Sequence, residues 1–364
     1  MRERSIQREA IRRVVVRGTN WVGDAVLTIP ALRELRRLLP DAHITLATRS
    51  WAKGLFADAD FLDDLLIYDR GRRDFGAVLR QTREWRRRRF DAAVLFQNAF
   101  EAALIARAAR VPIRMGYATY GRRSLLTHPL PVPAWRGERH EVFYYLNIIG
   151  EFEKLLDGAT TIDTREPVFA LRVSEERRSE ALRLLRAEGA RMGDRPLVAL
   201  CPGSTNSRAK RWPVTSYAAL ADLLIESTGA SVALVGARDE EDVSREVARL
   251  MHQRPIMLTG RTELAEAVAV LSLADVLVTN DTGPAHISAA LDRPTLVIFG
   301  PTIPAATRPY SPLAEIIRRP PDCAPCMLRD CPIDHRCMTA ITPEEVFERA
   351  VRLLDRRRAT EAAG

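Results

Sequence analysis

No stretch of this 364-residue chain approaches the ~20 consecutive apolar residues of a membrane span. Its opening residues, MRERSIQREAIRR, are charged and carry no apolar signal-peptide core, so a cytosolic protein is expected. The first strand-to-helix turn, GTNWVGDAVLTIP at residues 18–30, lacks the G-x-G-x-x-G spacing of a dinucleotide fingerprint, and no Lys-Ser or Lys-Thr pair follows as in a phosphate loop. Both chemistries are excluded at that turn. Cysteine is scarce: four of the five lie within one short stretch, and a cytosolic setting disfavours disulfides among them. Aromatic residues, 6% of the chain, are not interleaved with the arginines as a nucleic-acid reader needs.

What is present is apolar material for two cores: 46% hydrophobic and 28% charged residues, in a length of about two domains. Lys and Arg number 55 against 47 Asp and Glu, a balance of +8 carried mostly by arginine. Such a surplus attracts polyanions, whether nucleic acid, anionic lipid or phosphorylated sugar. The densest block, REWRRRR at residues 83–89, reads as a solvated helix end whose cations suit the negative pole of the dipole, in preference to a nucleic-acid patch.

Along the first half, strands at residues 14–17, 43–48, 65–68 and 92–96 alternate with helices at 31–39, 51–56, 75–87 and 100–109. The strands are near-continuously apolar, as buried parallel strands are. Residues 111–133 break the alternation with turn formers and basic side chains and are expected to be an irregular loop. A helix at 140–156 follows, and 158–173 reads as the interdomain link. The second half repeats the pattern, with strands at 197–200, 232–235, 256–258, 276–278 and 295–299, the last ending the sheet, and helices at 174–188, 215–227, 240–251 and 262–273. Thr342-Pro343-x-Glu345 is a capping box that opens a helix to about residue 356, with 359–364 frayed. The expected class is α/β, two Rossmann-like doubly wound domains at 1–165 and 166–340, then a C-terminal helix and tail at 341–364.

Ligands of open α/β sheets bind beyond the carboxyl ends of the strands, which points to three turns. The turn at 18–30 carries Asp24 at the mouth of a helix, where it reads as an N-cap or as a functional carboxylate; Pro30 implies a kinked helix or one that starts nearer Thr28. The turn CPGSTNSRAKRWP at 201–213 sets Gly203, the hydroxyls of Ser204, Thr205 and Ser207, and the cations Arg208, Lys210 and Arg211 ahead of a helix, an anion site of backbone N–H groups and lysine charge. The turn NDTGPAH at 280–286 puts Pro284 first in a helix and leaves the amides of Gly283, Ala285 and His286 to point at a phosphate, beside Asp281 and Thr282.

Together with RMGYATYGRRSLLTH at 114–128 and CAPCMLRDCPIDHRCM at 323–338, these turns resemble the ADP-heptose:lipopolysaccharide heptosyltransferase family (glycosyltransferase family 9), and within it the heptosyltransferase II group. The resemblance runs from about residue 14 to 354. It implies a GT-B fold whose two domains face across a cleft, the first binding the acceptor and the second the nucleotide sugar. It further implies an inverting transfer of heptose from ADP-L-glycero-D-manno-heptose to a heptose of the lipopolysaccharide inner core, with Asp24 as general base. By the same resemblance Ser204, Thr205 and Lys210 meet the diphosphate, Lys210 offsetting leaving-group charge with no metal or other cofactor. Asp281 holds sugar hydroxyls, and Thr282, Gly283 and His286 hold phosphate. Glu240 is expected either at the ribose hydroxyls or as a solvated helix-start acid. Asn20, Arg49, Arg114, Arg122 and Arg123 are expected to meet the anionic acceptor, arginine being suited to bidentate contact with carboxylate and phosphate. The implied partners are the ADP-heptose donor, the lipopolysaccharide core and, by peripheral contact, the inner leaflet, without nucleic acid. Two other readings stand beside this one: a sugar-nucleotide epimerase or hydrolase, which would consume donor without acceptor, and a basic nucleic-acid-binding module.

Cys323, Cys326, Cys331 and Cys337 form C-x2-C-x4-C-x5-C with His335 inside, soft ligands suited to zinc or an iron–sulfur cluster. The widely separated CxxC pairs of a zinc ribbon are missing. A loop packed by small residues, with the thiols buried as weak hydrophobes and no metal, is the expectation.

Overall fold

The computed structural model describes residues 7–69, 74–193 and 195–363. The chain divides into two units, Met1–Ala170 and Leu171–Gly364. In unit 1 the order is β1 (Arg13–Arg17), α1 (Val22–Leu27), α2 (Ile29–Leu38), β2 (His43–Thr48), α3 (Ala52–Leu55), β3 (Asp64–Ile67), α4 (Phe75–Arg88), β4 (Ala92–Leu95), α5 (Phe100–Ala108), β5 (Ile113–Tyr117), β6 (His128–Leu130) and α6 (Glu141–Asp157). Its six strands pair in parallel in the order β3-β2-β1-β4-β5-β6. A parallel sheet covered by helices on both faces must be apolar on both, and Val14, Val15 and Val16 of β1 are all fully buried. On α2, Ile29, Leu32, Leu35 and Leu38 recur at helical spacing and are buried, packing toward α6. Each such leucine contributes roughly 1.5–3 kcal/mol by leaving water.

Unit 2 repeats the plan: α7 (Glu175–Ala187), β7 (Leu197–Cys201), α8 (Val214–Thr228), β8 (Ser231–Leu234), α9 (Glu241–Leu250), β9 (Ile256–Met257), α10 (Leu264–Leu273), β10 (Val276–Asn280), α11 (Gly283–Ala290), β11 (Thr295–Phe299), α12 (Pro304–Thr307), β12 (Ala314–Arg318), α13 (Arg336–Thr339) and α14 (Pro343–Ala363). The strand order is β12-β11-β10-β7-β8-β9, the same doubly wound path. In each unit the order reverses at one place, between β1 and β4 and between β7 and β10. The turns beyond those carboxyl ends flank a crevice where ligands of such sheets bind.

The helix after β1 is broken at Thr28, which lies between α1 and α2 and donates its hydroxyl to the Ala25 carbonyl at 2.7 Å. Pro30 then sits in the first turn of α2, where no N–H is needed. The basic block ends α4 as a helix terminus with Arg83, Arg86 and Arg87 exposed, while Trp85 is buried and Arg88 pairs with Asp64 and Glu84.

Four expectations change. Residues 111–133 are not an irregular loop: they hold β5 and β6, because β5 gains its partner from β4 and not from an apolar run of its own. Its Gly116 is a close approach, since a Cβ there would stand 3.1 Å from the Leu95 carbonyl oxygen. Strand β11 does not end the second sheet; β12, which carries the charged Glu315 and Arg318, extends it. The terminal helix runs on to Ala363 instead of fraying beyond 358. It is also no separate tail, because Val346, Ala350, Leu353 and Leu354 join the core of unit 2. No helix among the described residues is long and apolar enough to cross a membrane.

Candidate active site

In unit 2 the two turns at the switch point are tied together by Asn280, the last residue of β10. It is fully buried, and its amide donates to the Pro202 and Gly203 carbonyls at 2.9 and 3.1 Å. Its side-chain oxygen accepts from the Trp212 N–H at 3.0 Å and the Tyr217 hydroxyl at 3.2 Å. One side chain thus sets both ends of the 202–213 loop against the start of the next turn.

Within that frame Lys210 donates to the Asp281 carboxylate at 2.8 Å and to its carbonyl at 3.1 Å. The same carboxylate oxygen accepts the Thr302 hydroxyl at 2.7 Å. Asp281 is buried and Lys210 half-buried, so the pair holds an ammonium group at the mouth of α11 with one side still open to solvent. Thr282 occupies the cap position of α11 in extended backbone, and its hydroxyl donates to the Asn280 carbonyl at 3.3 Å. Gly283 opens the helix, and His286 is buried on its first turn. The Ala285 amide, expected to be available to a phosphate, instead donates to the Thr282 carbonyl at 3.1 Å, an i→i−3 bond that tightens the first turn.

Ser204 is buried, and Arg211 donates to its carbonyl at 3.0 Å. Glu240 is not a solvated acid. It is buried, accepts the Ala237 N–H at 2.9 Å and the Thr205 hydroxyl at 3.4 Å, and its carboxyl is pushed up by burial. Gly203 permits this packing: a Cβ there would lie 2.3 Å from the Glu240 carboxyl carbon.

The cysteine stretch braces the same loop. Ser207 donates to the Leu328 and Arg329 carbonyls at 3.1 and 3.2 Å, the Ala209 N–H to Arg329 at 2.9 Å, and the His335 ring stands 2.7 Å from the Ala209 carbonyl. The thiols are not packed as expected: Cys337 is buried, but Cys326 and Cys331 are half-buried and Cys323 is exposed. This stretch draws its order from hydrogen bonds to the 202–213 loop and needs little apolar burial. Among the described residues no three His, Cys, Asp or Glu side chains stand in a metal-holding group.

In unit 1, Gly18 ends β1 by donating to the Ala47 carbonyl at 2.9 Å, and Asn20 and Trp21 are exposed at the tip of the turn. Trp21 takes the N-cap position of α1 with no side-chain bond, so Asp24 is not the cap; it lies in the first turn, half-buried. A second carboxylate stands near. Glu141, first residue of α6, is pushed up by burial, with Arg136 holding it down and the Asp24 charge adding to the rise. Arg136 lies 4.0 Å from Glu141 and 4.2 Å over the Tyr144 ring.

The arginines separate into two groups. Arg122 is fully buried: it donates to the carbonyls of Tyr117 at 2.7 Å and Gln97 at 2.6 Å, and to the Asn98 side chain at 2.9 Å. Burial lowers it to about 10. Arg114, near the amino end of β5, donates to the Leu125 and Val111 carbonyls at 2.8 and 2.5 Å. Both tie strand ends together, contrary to the expectation that they meet an acceptor. Arg49, just beyond the carboxyl end of β2, stands 5.4 Å over the Tyr68 ring, and Arg123 is exposed. Arg123 is open to a ligand's anionic groups.

A family model for glycosyltransferase family 9 (heptosyltransferase) matches residues 78–336. The chain belongs to that family. This heptosyltransferase is 30% identical over 362 residues to lipopolysaccharide heptosyltransferase 2 of Salmonella typhimurium, covering 94% of this chain and 98% of that one. In structure it is similar to the ADP-heptose lps heptosyltransferase II of E. coli, at TM-score 0.80 and 26% identity over 95% of this chain and 99% of the other. The family 9 glycosyltransferase of Veillonella parvula shares the fold at TM-score 0.81 and 24% identity, covering 94% and 97% of the two chains. The fold class is therefore α/β, GT-B, built from two Rossmann-like units.

Sequence reasoning singled out neither Asn280 nor the Glu141–Arg136 pair of the heptosyltransferase. Asn280 stood inside a quoted motif, and the only local signal was its place as the last residue before Asp281. Glu141 and Arg136 carry no signal without the fold that sets them beside Asp24.

Proposed function

We propose that this heptosyltransferase moves a heptose from ADP-L-glycero-D-manno-heptose to a heptose of the lipopolysaccharide inner core, with inversion. The supporting observation is the combination of membership in the family with a built anion site at the mouth of α11 in unit 2. The E. coli neighbour is described as acting with ADP-heptose, and the Salmonella relative as acting on lipopolysaccharide. Unit 2 holds the donor. The diphosphate lies against Lys210, Ser204, Thr205 and the amino end of α11 with Thr282, Gly283 and His286, while Asp281 receives sugar hydroxyls and Glu240 the ribose. Unit 1 holds the acceptor, with Asn20, Arg49 and Arg123 toward its anionic groups. The enzyme works in the cytoplasm and meets its amphiphilic acceptor at the inner leaflet.

Asp24 takes the proton of the acceptor hydroxyl as that oxygen bonds to the anomeric carbon; the bond from that carbon to the diphosphate breaks, and ADP leaves with the electron pair. A carboxylate is strong enough for this because the alcohol becomes acidic only as its new bond forms. Lys210 offsets the charge that grows on the leaving phosphate.

The test is ADP release from ADP-heptose with and without a core acceptor bearing one heptose, for wild type and Asp24→Asn. Acceptor-dependent release that falls by about 10²–10⁴ in kcat in the variant, with ADP affinity unchanged, is expected. Release that ignores the acceptor refutes transfer, and an Asp24→Asn enzyme at wild-type rate refutes the base.

A further inference from the structure

Four exposed aromatic side chains of unit 1 lie beyond four strand ends of its sheet. Trp21 (56% exposed) follows β1, Phe75 (78%) follows β3, Phe100 (48%) follows β4 and Tyr120 (78%) follows β5. All strands of that sheet are parallel, so these side chains emerge at one end of the unit, the end that carries Asp24. Soluble proteins expose single apolar residues routinely, but a cluster at one end marks an interaction surface.

The helices behind two of these residues share a pattern. On α4, Phe75, Leu79, Arg83 and Arg86 follow one another at steps of four, four and three, and all four are exposed; Ala77, Gln81 and Trp85 on the opposite side are buried. On α5, Phe100, Leu104 and Arg107 make the same stripe, with Ala102, Ala103 and Ala106 buried behind it. The two helices pack side by side, and the turn carrying Arg122 and Arg123 packs on α5. Each begins after the carboxyl end of a strand, and on each the apolar pair precedes the arginines. One helical turn separates Leu79 from Arg83, about 6 Å.

We propose that this face of unit 1, centred on α4 and α5, docks on an anionic lipid bilayer. Phe75, Leu79, Phe100 and Leu104 enter the boundary between headgroups and acyl chains. Arg83, Arg86 and Arg107 meet the phosphates one to two turns above. The spacing matches the depth of ~5–10 Å to which the apolar face of an interfacial helix sinks. The charge pattern selects the lipid over a protein partner. Of the acids on these helices, Glu84 is engaged by Arg87 and Arg88 and held down to about 2 by their hydrogen bonds, and Asp74, at the foot of α4, caps that helix and pairs with Arg80. Glu101 on α5 faces Arg17 at 4.0 Å, away from the arginine stripe. The exposed surface is therefore cationic around an apolar centre, the arrangement drawn to anionic headgroups. This inference deepens the peripheral contact proposed above, and it places the mouth of the Asp24 turn toward a membrane-borne acceptor.

The test is co-sedimentation of the full chain with vesicles of phosphatidylcholine alone or mixed with phosphatidylglycerol, at low and high salt. Wild type is expected to bind the anionic vesicles at low salt and to dissociate as salt rises. Leu79→Ser with Phe100→Ser should lower partitioning about a hundredfold, since each buried apolar side chain carries about tenfold. Arg83→Glu with Arg86→Glu should lower it by a similar factor, on anionic vesicles only. All four positions are exposed, and thermal melting checks that the variants fold. Wild type that fails to bind anionic vesicles at low salt, or variants that bind as it does, overturns the proposal. A dimer in solution that Leu79→Ser dissociates would also overturn it by assigning the face to a second copy. Vesicle binding needs neither donor nor acceptor, and turnover of a lipid-free core acceptor should be unchanged in the variants, so a failed docking face and a failed transferase reading give different results.

Discussion

Truncating Asn280 to alanine should disable unit 2 from its centre. The side chain is fully buried and makes four hydrogen bonds between 2.9 and 3.2 Å. Tyr217 keeps a partner, because its hydroxyl also reaches the Cys201 carbonyl at 3.2 Å. The Pro202 and Gly203 carbonyls and the Trp212 N–H do not, apart from any water that enters. Each buried polar group left unmade costs about 1–3 kcal/mol, so Asn280→Ala should cost about 3–5 kcal/mol, a large share of a domain's stability. Calorimetry reads this directly, the transition that ADP raises being that of unit 2. ADP affinity should fall with it, because the 202–213 loop loses its anchor. Asn280→Asp separates shape from hydrogen bonding. The oxygen that replaces the amide nitrogen faces two carbonyls at 2.9 and 3.1 Å, so the carboxyl must keep a proton to stay. Its folded pKa therefore lies above the unfolded value of about 3.9, and the variant's stability, greatest at low pH, is lost as pH rises through the folded pKa. A melting temperature and ADP affinity equal to wild type in Asn280→Ala, or an Asn280→Asp defect that shrinks as pH rises, would refute the reasoning.

Gly203→Ala forces a Cβ to within 2.3 Å of the Glu240 carboxyl carbon and should cost about 1–3 kcal/mol; combined with Glu240→Ala the loss should be less than the sum, as denaturant melts of the double-mutant cycle will show. Arg122→Met removes the partner of two buried carbonyls and should destabilise unit 1 by about 2–4 kcal/mol, while acceptor KM in the folded fraction stays at the wild-type value. An altered KM with unchanged stability would return Arg122 to the acceptor site. Burial pushes the Glu153 carboxyl up, but hydrogen bonds from Arg37, Thr160 and Thr161 outweigh this and hold it down to about 2. A depressed carboxyl contributes stability above its ordinary value and loses it as pH falls toward the folded one. Unit 1 should lose about 3 kcal/mol as pH falls from about 4.5 to 2, and Glu153→Gln should flatten acid unfolding over that window.

The sequence alone determined the class of fold, because buried parallel strands and amphipathic helices write their periods locally: 43–48 and 295–299 are strands in both readings. It also pointed to the turns beyond β1, β7 and β10, since loops that must hold anions need glycines, hydroxyls and cations close together in the chain. What it left open or misread depends on residues far apart. Strand β5 exists because β4 pairs with it, and β12 because β11 does. Arg114 and Arg122 look like acceptor ligands in a list of basic residues, yet the carbonyls around each guanidinium make them braces of the sheet. Glu240 looks like a surface acid until Gly203 and Thr205, more than thirty residues earlier, close over it. Asn280 carries no local signal of its task, because the four groups it joins come from two other segments of the chain. Local pattern determines which elements form; a polar side chain's role is decided by the groups that folding brings to it, and those only the tertiary structure assigns.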